Sequence, residues 1–317
     1  MAISFEGRVA IVTGAGGGIG RAHALEIARR GGKVLVNDYG GDCFGHGGGP
    51  EMAEAVVEEI RAAGGTAVAN CDTVATTQGA NAIVAQAMEE FGRLDVVINN
   101  AGIIRNAMIA DMSDEDWDDV LATHLTGSFK VTRAAWPHMQ AQHYGRLVFT
   151  CSSTATFGVS MMGNYAAAKG GIMGLVHTLS HEGAAHGILA NAIMPNAMTR
   201  MAVASAESWA EAGEDHAMEM PPEIGNAMNP EFNAPIAVYL ASEANVATHG
   251  LYSQCLGRTA KLMVGVPPGW QAQRQSAPSV DEIAAHFGEI CAMPDGVYVP
   301  PSPGDELIHV LSQGSGN

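Results

Sequence analysis

In the stretch CSSTATFGVSMMGNYAAAKGG, residues 151–171, Tyr165 and Lys169 stand four apart in an alanine-rich run of helical character. Residues four apart in a helix share a face, so both side chains can act on one bound group. A free tyrosine has a pKa of about 10 and is a poor base at neutral pH, but an adjacent ammonium favours the phenolate. Such a pair can carry a proton to or from an alcohol oxygen. Ser152 and Ser153 precede it, and either hydroxyl could hydrogen-bond that oxygen.

Groups that act together need a rigid frame. Short β-branched runs alternate with alanine-rich stretches of helical period: RVAIVT (8–13), KVLVND (33–38), TAVAN (66–70), LDVVIN (94–99), RLVFTC (146–151) and ILANAI (188–193). Continuous apolar strands separated by helices predict a parallel sheet covered on both faces, a doubly wound α/β fold. No repeat, low-complexity tract or polar linker interrupts residues 1–257, which predicts one domain there. From Arg258 the chain changes to proline turns and two short amphipathic helices in SAPSVDEIAAHFGEI and DELIHVL. This C-terminal extension, 258–317, is too small for a core of its own and is expected to pack on the domain or on a partner subunit.

Directly after the first run comes TGAGGGIG, with Gly14, Gly18 and Gly20, and then a helix from about Arg21. The order strand, glycine turn, helix suits a dinucleotide's pyrophosphate: glycines admit close backbone approach, and a helix N-terminus offers N–H groups to an anion. Asp38 ends the second run, eighteen residues after Gly20, where a carboxylate accepts hydrogen bonds from ribose hydroxyls and repels a 2′-phosphate. Gly17 supplies no basic side chain. NAD is therefore expected in preference to NADP. Six glycines in residues 39–49 predict a loop beside the adenosine end.

The net charge of −17, with only 16 Lys and Arg, argues against nucleic-acid binding. No apolar run approaches the ~20 residues that span a bilayer, and MAISFEGRVAIVTG does not read as a secretory signal, so the cytoplasm is expected. The five scattered cysteines show neither a C-x-x-C pair nor a metal-ligand rhythm, which predicts reduced thiols and no metal.

Taken together, TGAGGGIG, the acid at Asp38, Asp72 after the third strand, NNAG at Asn99 to Gly102, and the Ser-Tyr-Lys set resemble the short-chain dehydrogenase/reductase family over most of residues 8–200. The resemblance implies a single Rossmann-type domain, nicotinamide chemistry and oligomers. It implies that Asp72 and the backbone of Thr73 and Val74 contact adenine, and that Asn100, Ala101 and Gly102 line the cofactor's middle. Ile19 and Pro195 join the implied cofactor contacts. The family spacing, thirteen residues before the tyrosine, selects Ser152 over Ser153. Tyr165 then takes the hydroxyl proton, Ser152 holds the developing carbonyl oxygen, and Lys169 tunes Tyr165 and holds the nicotinamide ribose. Pairing of the helices carrying 115–139 and 163–185 is implied, giving a homodimer or homotetramer.

The chain departs from the family at His124, where many members carry an asparagine that anchors a relay water, and at Pro195-Asn196, where Pro-Gly is usual. His124 could be structural or a proton carrier. Both departures, with VNDYGGD, HLTGSFKVTRAAWPHM and PNAMTRM, are similar to the (3R)-hydroxyacyl-CoA dehydrogenase region of peroxisomal multifunctional enzymes and their free-standing bacterial relatives, some acting on steroid side-chain CoA thioesters. That implies NAD-dependent oxidation of a (3R)-hydroxyacyl-CoA, with an acyl-CoA or steroid-CoA substrate. A 17β-type dehydrogenase of a free steroid hydroxyl stays open, as does a non-catalytic NAD-binding module.

The family places its substrate lid at about 199–230. Met161, Met162, Met198 and Met201 could line a pocket for a bulky acyl or sterol group, or fill core gaps. Arg105, Arg200, Arg258 and Lys261 are candidates to meet CoA phosphates, or surface ion-pair partners.

Overall fold

Strands buried on both faces read as unbroken apolar runs, and all six runs form strands of one sheet: β1 (Val9–Thr13), β2 (Lys33–Asn37), β3 (Thr66–Asn70), β4 (Val96–Asn99), β5 (Gly145–Thr150) and β6 (Ile188–Pro195). The computed structural model describes residues 2–213, 225–267, 269–272, 277–293, 299–300 and 302–312. Two further strands, β7 (Gly250–Cys255) and β8 (Arg258–Leu262), extend the sheet to the order β3-β2-β1-β4-β5-β6-β7-β8. All neighbours are parallel except β8, which runs antiparallel to β7. The sheet therefore continues past the boundary expected at 257, because β8 takes its hydrogen bonds from β7.

The helices are α1 (Gly18–Arg29), α2 (Glu51–Ala62), α3 (Thr77–Phe91), α4 (Asp114–Leu121), α5 (Gly127–Gln142), the single turn α6 (Thr154–Phe157), α7 (Gly163–Gly183), α8 (Arg200–Glu211) and α9 (Ala234–Ala241). Apolar stripes decide which face each covers. In α2 the buried residues are Ala53, Val56, Val57 and Ile60, one helical face. They join Ala24 and Ile27 of α1 and Ala237 and Val238 of α9 on one side of the sheet. Ile83 of α3, Val131 and Met139 of α5, and Ile172 and Val176 of α7 cover the other. Burial of these side chains supplies about 1.5–3 kcal/mol each relative to exposure.

Helix ends follow local chemistry. Thr76 Oγ1 accepts from the Gly79 N–H at 3.0 Å to start α3, and Gly92, left-handed at φ 75°, ends it. Between α4 and α5 the chain makes one π-turn, Ala122–Thr126, with His124 at its middle. Such bulges often mark functional positions in helices.

The extension carries α10 (Val280–Ala285), α11 (Phe287–Ile290) and α12 (Pro303–Ser312). A capping box between Ser279 and Glu282 starts α10. On α12, Glu306 accepts from Ser253 Oγ of β7 at 2.5 Å and lies 3.7 Å from Arg258 of β8, and Leu307 is buried. None of the described helices is long and apolar enough to cross a membrane.

Candidate active site

The chain reverses direction across the sheet at β1 and β4, which are neighbours, and α/β sheets bind ligands outside the C-terminal strand ends at such a switch. The ends are stapled by side chains. Thr13 Oγ1 accepts from the Asn100 and Ala101 N–H groups at 3.0 and 3.1 Å, and Asn100 Nδ2 donates to the Thr13 and Gly14 carbonyls, each at 3.1 Å. Thr150 of β5 donates to Asn100 Oδ1 at 3.2 Å. A Cβ at Gly20 would fall on the Gly14 carbonyl oxygen, so only glycine lets α1 start this close to the turn.

Above these ends lies a cavity of about 640 Å³. Its wall includes Gly14, Gly18, Ile19, Asp38, Asp72, Thr73, Val74, Asn100, Ala101, Gly102, Ser152, Tyr165, Lys169 and Pro195; Gly20 is buried behind the turn. At one end Asp38 is fixed by backbone donors, Gly16 N–H to Oδ2 and Gly40 N–H to Oδ1, each 2.8 Å. Asp72 is held by Asn70, whose Nδ2 donates to Oδ2 at 2.8 Å, while Asn37 Nδ2 donates to the Asp72 carbonyl at 2.8 Å. The glycine loop after Asp38 folds back on itself through a bridge between Gly41 and Gly47, and its Cys43 carbonyl accepts from Ile104 N–H at 2.9 Å. Tyr39, Asp42 and Cys43 thereby become cavity wall beside Asp38.

At the other end Tyr165 and Lys169 share the inward face of α7. Asn164, fully buried, donates to the Arg105 and Asp116 carbonyls at 3.0 Å and accepts from Tyr165 N–H at 2.7 Å, which anchors the helix start. The phenol's hydrogen bond is with Ser152, which favours the phenolate, yet burial wins and pushes Tyr165 up to about 12. Lys169 Nζ donates to the Thr150 carbonyl at 2.5 Å, 5.5 Å from the phenol ring centre, and burial lowers it to about 8. The expectation that Lys169 and a positively charged nicotinamide favour the phenolate meets an opposing effect in the phenol's burial, the largest influence on it.

His124 is buried beside them. Its Nε2 lies 2.8 Å from the Ile103 carbonyl and 3.0 Å from the Ile103 N–H. Burial and the nearby Lys169 charge hold it well below the usual imidazole range. Nδ1 is buried and has no hydrogen-bond partner among the described residues.

The lid segment begins with α8, capped by Thr199 Oγ1 accepting from Ala202 N–H at 3.2 Å. Met201, Ala202, Ser205 and Trp209 line the cavity, and residues 214–224 of the expected lid lie outside the described residues. Of the four methionines considered, Met162 and Met201 are in the wall; Met161 and Met198 are not. Of the four basic candidates, Arg105 is committed to Asp119 at 3.2 Å and Asp116 at 3.5 Å, and Arg258 to Glu306. Lys261 is exposed on β8, and Arg200 lines the cavity. Thr13, Asn37, Asn70, Thr150 and Asn164 escaped sequence reasoning, since each matters through a neighbour distant in the chain.

The eight-stranded, mostly parallel sheet agrees with the comparisons. The family model described as short chain dehydrogenase matches residues 8–211, and the chain belongs to that family. It is 42% identical over 290 residues to the mouse peroxisomal multifunctional enzyme type 2, covering 91% of this chain and 37% of the mouse protein. It is 44% identical over 285 residues to the short-chain type dehydrogenase/reductase Rv0148 of Mycobacterium tuberculosis, covering 90% of this chain and 94% of that one. The crystal structure of a short chain dehydrogenase from Mycobacterium avium superposes with a TM-score of 0.76 at 38% identity, over 93% of this chain and 99% of the other. The chain thus spans little more than a third of the mouse enzyme but nearly all of the two mycobacterial proteins.

The protein is a short-chain dehydrogenase that binds a nicotinamide dinucleotide. The site fits that group: Gly14, Gly17 and Gly18 of the turn and Asp38 after β2 line one cavity, and a Cβ at Gly17 or Gly18 would meet no atom nearer than 3.6 Å, so the space over the turn is open.

Proposed function

We propose that the protein oxidises the 3-hydroxyl of a (3R)-hydroxyacyl-CoA to the 3-oxo thioester with NAD, in the degradation of lipid or steroid side chains. The observation that carries the reading is the Ser152, Tyr165 and Lys169 set in the wall of the same cavity as Asp38. The 42% identity to the mouse peroxisomal multifunctional enzyme type 2 across 91% of the chain supports the thioester class.

The bound nicotinamide supplies the acceptor for the hydride that leaves the substrate carbon. The protein supplies the rest. Tyr165 removes the hydroxyl proton, and Ser152 donates a hydrogen bond to the oxygen as it becomes a carbonyl. Burial favours the protonated phenol, so a neighbouring positive charge is needed for the oxidative direction, and Lys169 is the cation at hand. In the reverse direction the protonated phenol is ready to donate.

Asp38 sets the cofactor preference. With both oxygens held by backbone N–H groups it cannot swing away from a 2′-phosphate, which supports NAD over NADP. A homodimer or homotetramer through α4, α5 and α7 is part of the proposal, supported by exposed Trp117 and Phe129 on those helices.

A second reading, oxidation of a free steroid hydroxyl, is favoured by the apolar wall of Met162, Met201, Ala202 and Trp209. NADH formation with a straight-chain (3R)-hydroxyacyl-CoA, a steroid side-chain hydroxyacyl-CoA and a free hydroxysteroid separates the readings. Turnover of a thioester and not the free steroid is expected; turnover of the free steroid alone would replace the first reading with the second.

A further inference from the structure

Arg200 and Lys169 are the two Arg or Lys side chains in the cavity wall among the described residues, and Lys169 is occupied at the inner end by the Thr150 carbonyl. Arg200 is the first residue of α8, yet its guanidinium turns away from the substrate end. Nη2 lies 3.7 Å from Met52 Sδ at the start of α2, and a Cβ built on Gly17 would sit 3.9 Å from it. The neighbouring Thr199 is equally close to the turn, its Cγ2 3.6 Å from the Cβ position of Gly18. The lid's first two residues therefore lie over the glycine turn, far from it in sequence.

Three features of that spot ask for an anion. α1 starts there with no side-chain cap and no acidic residue in its first turn. Arg200 forms no ion pair with a carboxylate among the described residues, unlike Arg105 and Arg258. The chain as a whole carries −17, so a dianionic ligand needs a local cation. A guanidinium is suited to the task because its planar fork matches phosphate oxygens.

We propose that Arg200 is a diphosphate-binding residue: its guanidinium closes over the dinucleotide's diphosphate from the lid side, opposite the α1 N-terminus. The sequence left Arg200 as a candidate for CoA phosphates or for a surface ion pair; its approach to Met52 and Gly17 favours the diphosphate instead. One consequence is that the cofactor, by holding Arg200, also holds the first turn of the lid helix. The proposal concerns the cofactor half of the site and stands whichever alcohol is the substrate.

The test is binding of ADP-ribose, adenosine, NADP and free CoA to the full chain and to its Arg200→Gln and Arg200→Lys variants, by calorimetry or competition. Thermal melts confirm that the variants fold. Arg200→Gln is expected to weaken ADP-ribose roughly 10- to 100-fold, as loss of a charge-assisted contact does. Adenosine, which lacks the diphosphate, is expected to bind unchanged. Arg200→Lys should recover part of the affinity, and the salt dependence of ADP-ribose binding should flatten in Arg200→Gln. Equal loss for adenosine would make Arg200 merely structural and overturn the proposal. So would unchanged ADP-ribose binding, a loss confined to CoA, or a loss confined to NADP.

Discussion

The imidazole of His124 stands edge-on to the phenol of Tyr165, ring centres 5.1 Å apart and planes at 82°. The π-turn in which His124 sits delivers this contact, and Gly102 closes the other side of the ring: a Cβ at 102 would overlap His124 Cε1. Gly102→Ala should therefore displace the imidazole and disturb Tyr165. We expect a destabilisation of about 1–3 kcal/mol, typical of overpacking, together with a lower kcat, read by thermal melts and steady-state kinetics. A variant as active and stable as the wild type would show that the histidine wall has slack.

Tyr165→Phe removes the proposed proton acceptor while leaving the glycine turn and Asp38 untouched. A fall in kcat of about 10²–10⁴-fold is expected for loss of a general base, with ADP-ribose affinity within about twofold of the wild type. Stopped-flow kinetics and calorimetry check the two halves. Full activity in this variant would remove Tyr165 from the chemistry.

Asp38→Ser should shift cofactor choice. The serine keeps a hydrogen-bonding group but removes the charge that opposes a 2′-phosphate. The ratio of kcat/KM for NAD to that for NADP is expected to fall about 10- to 100-fold, equivalent to about 1.4–2.7 kcal/mol. An unchanged ratio would mean that selectivity comes from elsewhere in the loop.

His23 and His124 predict acid lability. His23 is fully buried without a partner, and burial lowers it to about 3; His124 is likewise held far below its ordinary value. An unfolded histidine titrates near 6.5. Below that pH the unfolded chain binds protons the folded chain refuses, so stability is fully present above about pH 6.5 and declines as pH falls toward 3. His23 contributes a loss of about 2 kcal/mol between pH 6.5 and 5, and His124 acts in the same direction. His23→Leu should remove one such contribution, visible in urea unfolding at the two pH values as a smaller difference than the wild type shows.

The central sheet was legible because strands such as VAIVT and VVIN are covered on both faces and keep their polar residues, Thr13 and Asn99, to the C-terminal end. β7 was not, for GLYSQC spends two of its positions on polar partners: Ser253 bonds Glu306 of α12, and Gln254 bonds Thr259 of β8. Glu306, 53 positions from Ser253, lies beyond any local pattern. Tyr165, Lys169 and Asp38 could be named from spacing, but the protonation of Tyr165 depends on how deeply its neighbours bury it. The place of Arg200 depends on α8 folding back over residues 17 and 18, which no sequence period records.

The most direct test of the account is NADH absorbance on adding matched (3R)- and (3S)-hydroxyacyl-CoA thioesters, with NAD and then NADP. The account predicts turnover of the (3R) thioester with NAD, little with NADP, and none of the (3S) form. Equal turnover of both enantiomers, or a preference for NADP, would contradict it.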